Sequence, residues 1–398
     1  MDIVTESAQD LAFLHAERCV TELQRGRPIA LASKQPALGN GIAESQTQSF
    51  HIIRLVETLS ASELESLIAI QPCQLVLTRQ RAAAIKLLVD SSAVCLNLKA
   101  QTSADAVFAW AGLDTDYSYN QFKLSASQAE SHISNLESLR APNGEHHNLS
   151  MASAKAAINL ARAAHALPAF IMYETDFVPN GMLSTTVATA TAFDDKSGEL
   201  MTLSNAHIPL KFAEHVELTV FRERHGVAEH VAITVGQPDL SKPVTVRLHS
   251  SCFTGDILGS MKCDCGEQLQ HAITSMDQNG GGIVLYVSQE GRGIGLASKL
   301  LAYQLQYKGL DTIEANENLG FDSDERQYEA AVFMLGQLGV NTIQLMTNNP
   351  LKIKALKAQG INVVGRAPSP ATVNAHNARY LETKRERSGH LSTCESHG

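Results

Sequence analysis

Three cysteines crowd the run Cys252-Phe-Thr-Gly-Asp-Ile-Leu-Gly-Ser-Met-Lys-Cys263-Asp-Cys265-Gly. No other feature restricts the fold as much, because three thiolates packed this tightly are hard to account for without a metal. Sulfur donors in tetrahedral array suit zinc. Lys262, beside Cys263, favours the deprotonated form that binds metal. No neighbouring Cys or His completes a quartet, which leaves a coordination position for water, the mark of a catalytic zinc. The other reading is a small structural knuckle whose fourth ligand comes from elsewhere in the fold.

The remaining thiols, Cys19, Cys73, Cys95 and Cys394, read as ordinary buried or free cysteines. An odd total of seven, with three at metal-like spacing, favours a reducing cytoplasm over a disulfide framework. The net charge of −9 argues against a general nucleic-acid surface but leaves room for a local basic pocket that takes a small phosphorylated ligand. No run approaches the ~20 apolar residues that span a bilayer, so no membrane contact is expected. The opening Met1-Asp-Ile-Val-Thr-Glu has none of the regions of a signal peptide. With 398 residues, two or three domains are expected.

Two halves differ in pattern. Residues 1–178 are rich in Ala, Ser and Leu. Helices are expected at Ala61 to Ile70, with Ser60 ahead of an acidic first turn, and at Ser153 to Ala166, stopped by Pro168. A buried strand follows at Ala169 to Tyr173, an alternation that points to an α/β layer. Ala141 to Asn148 reads as a loop, and Val178-Pro-Asn-Gly-Met182 as the domain boundary. Strand-like segments then cover 184–193, 215–221, 229–235 and 244–249. From Cys265 the pattern is again α/β, with helices over 266–277, 294–308, 322–338 and from Pro350 to Gly360, and strands over 282–288 and 341–347. The chain turns polar at Ala367, and Thr383 to His390 reads as a surface tail.

Several polar residues fall beside the cysteines in this scheme. Arg247, His249 and Ser250 end a strand just before Cys252, and Glu290-Gly291-Arg292 ends another, where glycines let the backbone approach a ligand closely. Gly-Arg-Gly-Ile-Gly lacks the spacing and βαβ context of a dinucleotide fingerprint. Arg326 and Lys352 fall in first turns of expected helices, where the helix dipole disfavours cations unless an anion is shared. Asp324 and Arg326 stand two apart at a helix start, and Tyr303 lies mid-helix as a half-buried aromatic.

Through RLHSSCFTGD, KCDCGEQL, YVSQEGRGIGL, DTIEANENLGFDSDER, LMTNNPLK and YLETKRERSGHL, residues 180–392 resemble the GTP cyclohydrolase II family of riboflavin biosynthesis. The resemblance implies hydrolysis of GTP at C8 of the guanine, releasing formate and pyrophosphate. It implies Cys252, Cys263 and Cys265 as ligands of one Zn²⁺ per subunit, and Mg²⁺ with the triphosphate. Arg247 to Ser251 (His249, Ser250 and Ser251 among them), Gln268, Glu290, Gly291, Arg292, Thr312, Thr347 and Lys352 match nucleotide-contacting positions. Tyr303, Asp324 and Arg326 match catalytic ones, Asp324 as proton acceptor and Arg326 as nucleophile toward the α-phosphate. A guanidinium stays protonated in proteins, so charge stabilisation is the other role open to Arg326. A homodimer is implied as well.

One departure is Ser251, where the family usually carries Glu before the first zinc cysteine; it removes a polar contact to the nucleotide and leaves room for a paralogue with another substrate. The first half is similar, more faintly, to 3,4-dihydroxy-2-butanone-4-phosphate synthase, through Arg25-Gly-Arg-Pro-Ile-Ala-Leu31 and the stretch from Ala157 to Glu174. Its acidic substrate loop is replaced by Ala32-Ser-Lys-Gln-Pro-Ala-Leu-Gly-Asn-Gly41 and its His-Thr-Glu motif by Ala152-Ser-Ala-Lys155, so that half is expected to be inactive. The expected architecture is therefore a two-domain α/β or α+β protein. Residues 1–178 form an α/β synthase-like domain, 179–366 a mixed β-barrel or sheet with helices, and 367–398 a polar tail. A non-catalytic GTP-binding regulator is the reading from another class.

Overall fold

The computed structural model describes residues 8–32, 49–87, 90–113, 145–193, 199–224, 228–370 and 372–391. They divide into two compact units: Met1–Asp195 with Ala297–Glu325, and Lys196–Leu296 with Arg326–Gly398. Each unit is built on one open, mixed sheet flanked by helices. No closed barrel occurs among the described residues, so the barrel alternative gives way to the sheet.

The first unit has a six-stranded sheet of β1 (Ile29–Ala32), β2 (Phe50–Leu55), β3 (Cys73–Thr78), β4 (Ala93–Leu98), β5 (Ala169–Thr175) and β6 (Ser184–Thr186), in the order β4-β3-β5-β2-β1-β6. Side chains alternate across a strand, and β5 shows the result. Phe170 and Met172 enter one core with Phe13, Val20 and Leu23 of α1 (Ala8–Gln24). Ala169 and Ile171 enter another with Leu64 and Ile68 of α2 (Ala61–Ile70) and with Trp110. Helix α2 starts where the sequence places it, with a capping box in which the Glu63 amide donates to Ser60 Oγ and the Ser60 amide to Glu63 Oε2.

Arg81 explains why Ala297–Glu325 belongs to this unit. It lies on α3 (Arg79–Ala84) and is 6% exposed. Its guanidinium donates to the carbonyls of Ala109 (2.6 Å) and Trp110 (2.7 Å), at the end of α4 (Ala104–Ala111). It also donates to the carbonyl and side-chain oxygen of Asn318, the last residue of a helix over Thr312–Asn318. A buried cation is thus set against the negative ends of two helix dipoles.

Some elements differ from the sequence reading. Residues 145–148, expected as loop, open the long helix α5 (Glu145–Ala163); 141–144 lie outside the described residues, as do 33–41 of the replaced substrate loop. The strand expected over 184–193 stops at Thr186, whose hydroxyl caps α6 (Val187–Ala192) by accepting from the Thr189 amide.

The helix expected from Asp322 begins only at Glu329, so neither Asp324 nor Arg326 sits in a helix. Glu325 does take the Asp322 amide (2.7 Å), as a capping pair would. Both carboxylates are also held by Arg162, at 3.2 and 3.3 Å. Gln80 donates to Asp322 too, and these contacts keep the segment out of helical form.

The second unit has seven strands in the order β13-β12-β10-β11-β9-β8-β7. They are β7 (Leu200–His207), β8 (Val216–Glu223), β9 (Glu229–Val235), β10 (Val244–Ser250), β11 (Gly282–Val287), β12 (Thr342–Met346) and β13 (Asn362–Ala367). Strands β13, β12, β10 and β11 run parallel, and the other three antiparallel. Strand β7 escapes the sequence reading because it is an edge strand with seven exposed residues; its form comes from pairing with β8.

Helix α7 (Cys265–Gln278) buries Ala272, Ile273 and Met276 against one face of this sheet. On the other face lie Met334 and Leu335 of α10 (Glu329–Gln337) and Leu356 of α11 (Pro350–Ala358). Helices α8 (Gly295–Tyr307) and α9 (Thr312–Asn318) precede these in the chain. The tail is not wholly a surface element, since it forms α12 (Ala378–Ser388) with Thr383 buried.

Candidate metal centre

Neighbours of β10 follow opposite routes: the chain passes from β10 to β11 on one side, then crosses back to β12 on the other. In open α/β sheets, ligands bind outside the carboxyl ends of strands at such a reversal. Several of the predicted polar residues lie at this end of the second unit. Cys252 follows β10, Glu290 follows β11, and Thr347 follows β12.

The Sγ atoms of Cys252, Cys263 and Cys265 lie within 4.8 Å of one another, with no other His, Cys, Asp or Glu in the group among the described residues. Cys252 and Cys263 are 3.7 Å apart at sulfur. A π-helical turn, Phe253–Ile257, curls the chain so that the Gly255 amide donates to Cys252 Sγ (3.3 Å). A Cβ on Gly255 would meet Cys263 Sγ at 2.8 Å and Cys252 Sγ at 3.0 Å, and one on Gly266 would run into the Gly255 carbonyl. The two glycines therefore let loop and helix start close around the sulfurs.

Hydrogen bonding to Cys252 is the largest cause that raises the pKa of both Cys263 and Cys265, so these two thiols keep their protons unless a cation replaces them. Such a donor set could hold one thiophilic metal ion.

A polar network surrounds the sulfurs. The Asp256 carboxylate accepts from the Cys252 amide (2.9 Å), His249 Nε2 (3.1 Å) and the Tyr286 hydroxyl (3.0 Å). Burial lowers the His249 pKa while the Asp256 bond opposes it. Nδ1 of His249 accepts from Arg247 Nε (3.4 Å), which leaves the proton of a neutral imidazole on Nε2, directed at Asp256. Arg247, 6% exposed, also donates to Ser369 Oγ (2.8 Å) and Gln268 Oε1 (2.6 Å). Gln268 Nε2 donates to Asp264 (2.6 Å), whose other oxygen takes Lys384 Nζ (2.7 Å). Burial works to raise the Asp264 pKa, but the Lys384 ammonium overcomes it and holds the carboxyl below its usual range. Asp256, Tyr286, Asp264 and Lys384 were not singled out from the sequence. The signals were Asp256 four residues after Cys252 and Asp264 between two cysteines.

The other predicted residues are placed as follows. Ser250 ends β10, and the Ser251 amide donates to the Val287 carbonyl (2.8 Å). Glu290 accepts from the Phe253 amide (2.6 Å), joining the loop after β11 to the Cys252 turn. Gly291 and Arg292 are both left-handed, at φ 64° and 65°, a conformation costing a non-glycine residue roughly 1 kcal/mol. Arg292 is thus held in strained backbone beside the site. Lys352 lies in the first turn of α11, as expected, but donates to the Leu248 carbonyl (2.8 Å). Thr347 Oγ1 accepts from the Asn349 amide, and Asn349 caps the same helix. Arg326 belongs to this unit, and its charge reaches His390 together with those of Lys384 and Arg292. With burial as the main cause, these push the His390 pKa down to about 3. Tyr303, half-buried mid-helix on α8, Thr312 at the start of α9, and Asp324 in the loop before α10 fall in the first unit.

Fold and thiol cluster together define a class: an α/β unit with a three-cysteine cluster, able to hold a metal, at the carboxyl ends of parallel strands. Residues 201–368 match the family model of GTP cyclohydrolase II. The chain is 36% identical over 400 residues to a GTP cyclohydrolase-2 of Azospirillum brasilense, covering 96% of this chain and 95% of that one. It is 44% identical over 241 residues to a GTP cyclohydrolase-2 of Xylella fastidiosa (strain 9a5c), covering 59% of this chain and 61% of the relative. Against a GTP cyclohydrolase-2 of Shewanella baltica (strain OS185) it is 50% identical over 171 residues, covering 43% and 84%. A solved two-domain 3,4-dihydroxy-2-butanone 4-phosphate synthase, RibBX from A. baumannii, aligns with 90% of the chain at 17% identity and a TM-score of 0.25. The chain belongs to the GTP cyclohydrolase II family.

Proposed function

We propose that this protein is a zinc-dependent GTP cyclohydrolase II. It would hydrolyse GTP to 2,5-diamino-6-ribosylamino-4(3H)-pyrimidinone 5′-phosphate, formate and pyrophosphate, the first step of riboflavin biosynthesis. The observation that carries this reading is the convergence of Cys252, Cys263 and Cys265 within the segment that matches the family model. Relatives matched over 44% of the chain include two proteins named riboflavin biosynthesis protein RibBA, which supports the pathway.

In this reading the three cysteines hold Zn²⁺, which when bound supplies a Lewis acid and makes water acidic near neutral pH. The chain's own residues do the rest. Asp256 fixes the Cys252 turn and the neutral His249. Arg247, Gln268 and Lys352, already held by buried hydrogen bonds, give the nucleotide a pre-organised polar wall. Glu290, Gly291 and Arg292 bring backbone and charge toward the substrate, with Ser250, Ser251, Thr312 and Thr347 as further contacts. Tyr303 orients the reacting ring, and Asp324 accepts a proton. Arg326, permanently charged, stabilises negative charge on the departing pyrophosphate, and Mg²⁺ accompanies the triphosphate.

Residues 1–178 are read as a degenerate 3,4-dihydroxy-2-butanone-4-phosphate synthase-like domain, 179–366 as the catalytic domain and 367–398 as its tail, in a cytoplasmic homodimer. What supports loss of the synthase is position 153: Ser153 is buried on α5 and bonds His51 Nδ1 (3.0 Å), with Ala154 packed in the core beside it. Neither Ser153 nor Ala154 offers an acidic ligand.

The test is to mix full-length protein with GTP, Mg²⁺ and Zn²⁺ and follow formate and the pyrimidine product. Turnover that Cys263→Ser abolishes is the expected result. GTP binding without formate would make the protein a regulator. Turnover of a different ring would make it a diverged paralogue, the reading that Ser251 favours.

A further inference from the structure

Asp264 lies between Cys263 and Cys265 in sequence and is 2% exposed. A carboxylate there adds negative charge where metal-binding thiolates already concentrate it. Both of its oxygens are engaged, Oδ2 by Gln268 and Oδ1 by Lys384 at 2.7 Å. Lys384 comes from α12, far along the chain, and its ammonium also lies 4.4 Å from the Tyr380 ring centroid.

The segment around α12 is tied to the same sheet end at other points. The Thr372 amide donates to Glu267 Oε2 (3.1 Å) on α7, the helix that Cys265 opens. The Leu391 amide donates to the Asn348 carbonyl (2.9 Å), just past β12. Those two ties are uncharged on the tail side. The ion pair places a full charge of α12 on the loop carrying two of the cysteines.

We propose that Lys384 is a positioning residue for the metal centre. By neutralising and fixing Asp264 it holds the Cys263–Cys265 loop in its metal-binding form, and it couples docking of α12 to metal occupancy. The proposal rests on the reading of the three cysteines as metal ligands. Coupling of this kind is reciprocal: a helix that helps retain the ion must itself be held more firmly when the ion is present.

Two measurements on the full-length protein test it. The first is the rate at which Zn²⁺ passes to a chromogenic chelator, with the thiolate-to-metal absorption of the Co²⁺-substituted protein as a reporter of ligand geometry. Lys384→Met is expected to lose Zn²⁺ about tenfold faster or more, the scale on which supporting residues tune metal affinity, with a changed Co²⁺ spectrum. Lys384→Arg, which keeps the charge, should restore retention. The second measurement needs no variant: hydrogen exchange across 372–391 should speed up when Zn²⁺ is removed from the wild-type protein. Equal Zn²⁺ retention in wild type and Lys384→Met, or exchange in α12 indifferent to the metal, overturns the proposal. Wild-type protein that binds no stoichiometric Zn²⁺ or Co²⁺ overturns the ligand assignment beneath it.

Discussion

The cysteines of the two units set the same side chain in opposite surroundings. Cys19 and Cys73 in the first unit are buried away from other thiols, and burial is the main cause that pushes them up to about 12 and about 11. They behave as small hydrophobic residues. Cys252, Cys263 and Cys265 in the second unit crowd together and draw in Asp256, His249, Arg247, Gln268, Asp264 and Lys384 as one connected network. Buried polar groups in the first unit meet in smaller, separate sets, such as the Ser153–His51 pair and the Arg81 staple. Desolvating a whole network is costly, so its presence in one unit marks where chemistry, and not packing alone, has shaped the interior.

Breaking the contrast should have its largest effect at the sulfurs. Cys263→Ser should lose bound Zn²⁺ by elemental analysis and formate release with it, a deficit of several kcal/mol in transition-state stabilisation. Cys73→Ser should retain turnover and lower thermal stability by only about 1 kcal/mol.

Next in size is Arg81→Met, which leaves carbonyls at the ends of α4 and α9 without their charged donor. Denaturant unfolding should show the first unit destabilised by about 3 kcal/mol. Asp256→Asn tests the second unit in the same way, because an amide cannot accept from all three of its donors. About 2 kcal/mol of stability should be lost, together with slower uptake of Zn²⁺.

A smaller effect follows from His51, whose pKa burial lowers against the pull of Glu174. The unfolded chain takes up a proton that the folded His51 refuses. Stability therefore falls as pH drops below about 6.5, with a slope of up to about 1.4 kcal/mol per pH unit, and levels off below the folded pKa. Thermal melts of His51→Gln against pH should show a flatter dependence over that window. The smallest effect is expected from Ser251→Glu, which should shift KM for GTP by less than about tenfold, within the range of one polar contact, and leave Zn²⁺ content unchanged.

Much of this was legible in the residues because the signals were local. The Ser60–Glu63 capping box, the Asn349 cap followed by Pro350, and strands β8 to β12 each follow from a few neighbouring side chains. Where distant groups intervene, the local reading fails. Asp322 and Glu325 carry a capping pattern, yet Arg162 and Gln80 claim their carboxylates and the helix waits until Glu329. Lys384 looked like one cation among several in a polar tail until its partner Asp264, 120 positions earlier, was in view.

The linear order of residues thus determined the donor atoms available, three thiols at close spacing, and most of the helices and strands that carry them, because spacing and propensity act over a few residues. It could not decide which buried charges meet. That depends on the crossing of the chain from β11 back past β10 to β12, and on the return of α12 to the metal loop. Only tertiary structure brings such groups within the few ångströms at which a desolvated ion pair or a hydrogen bond acquires its strength.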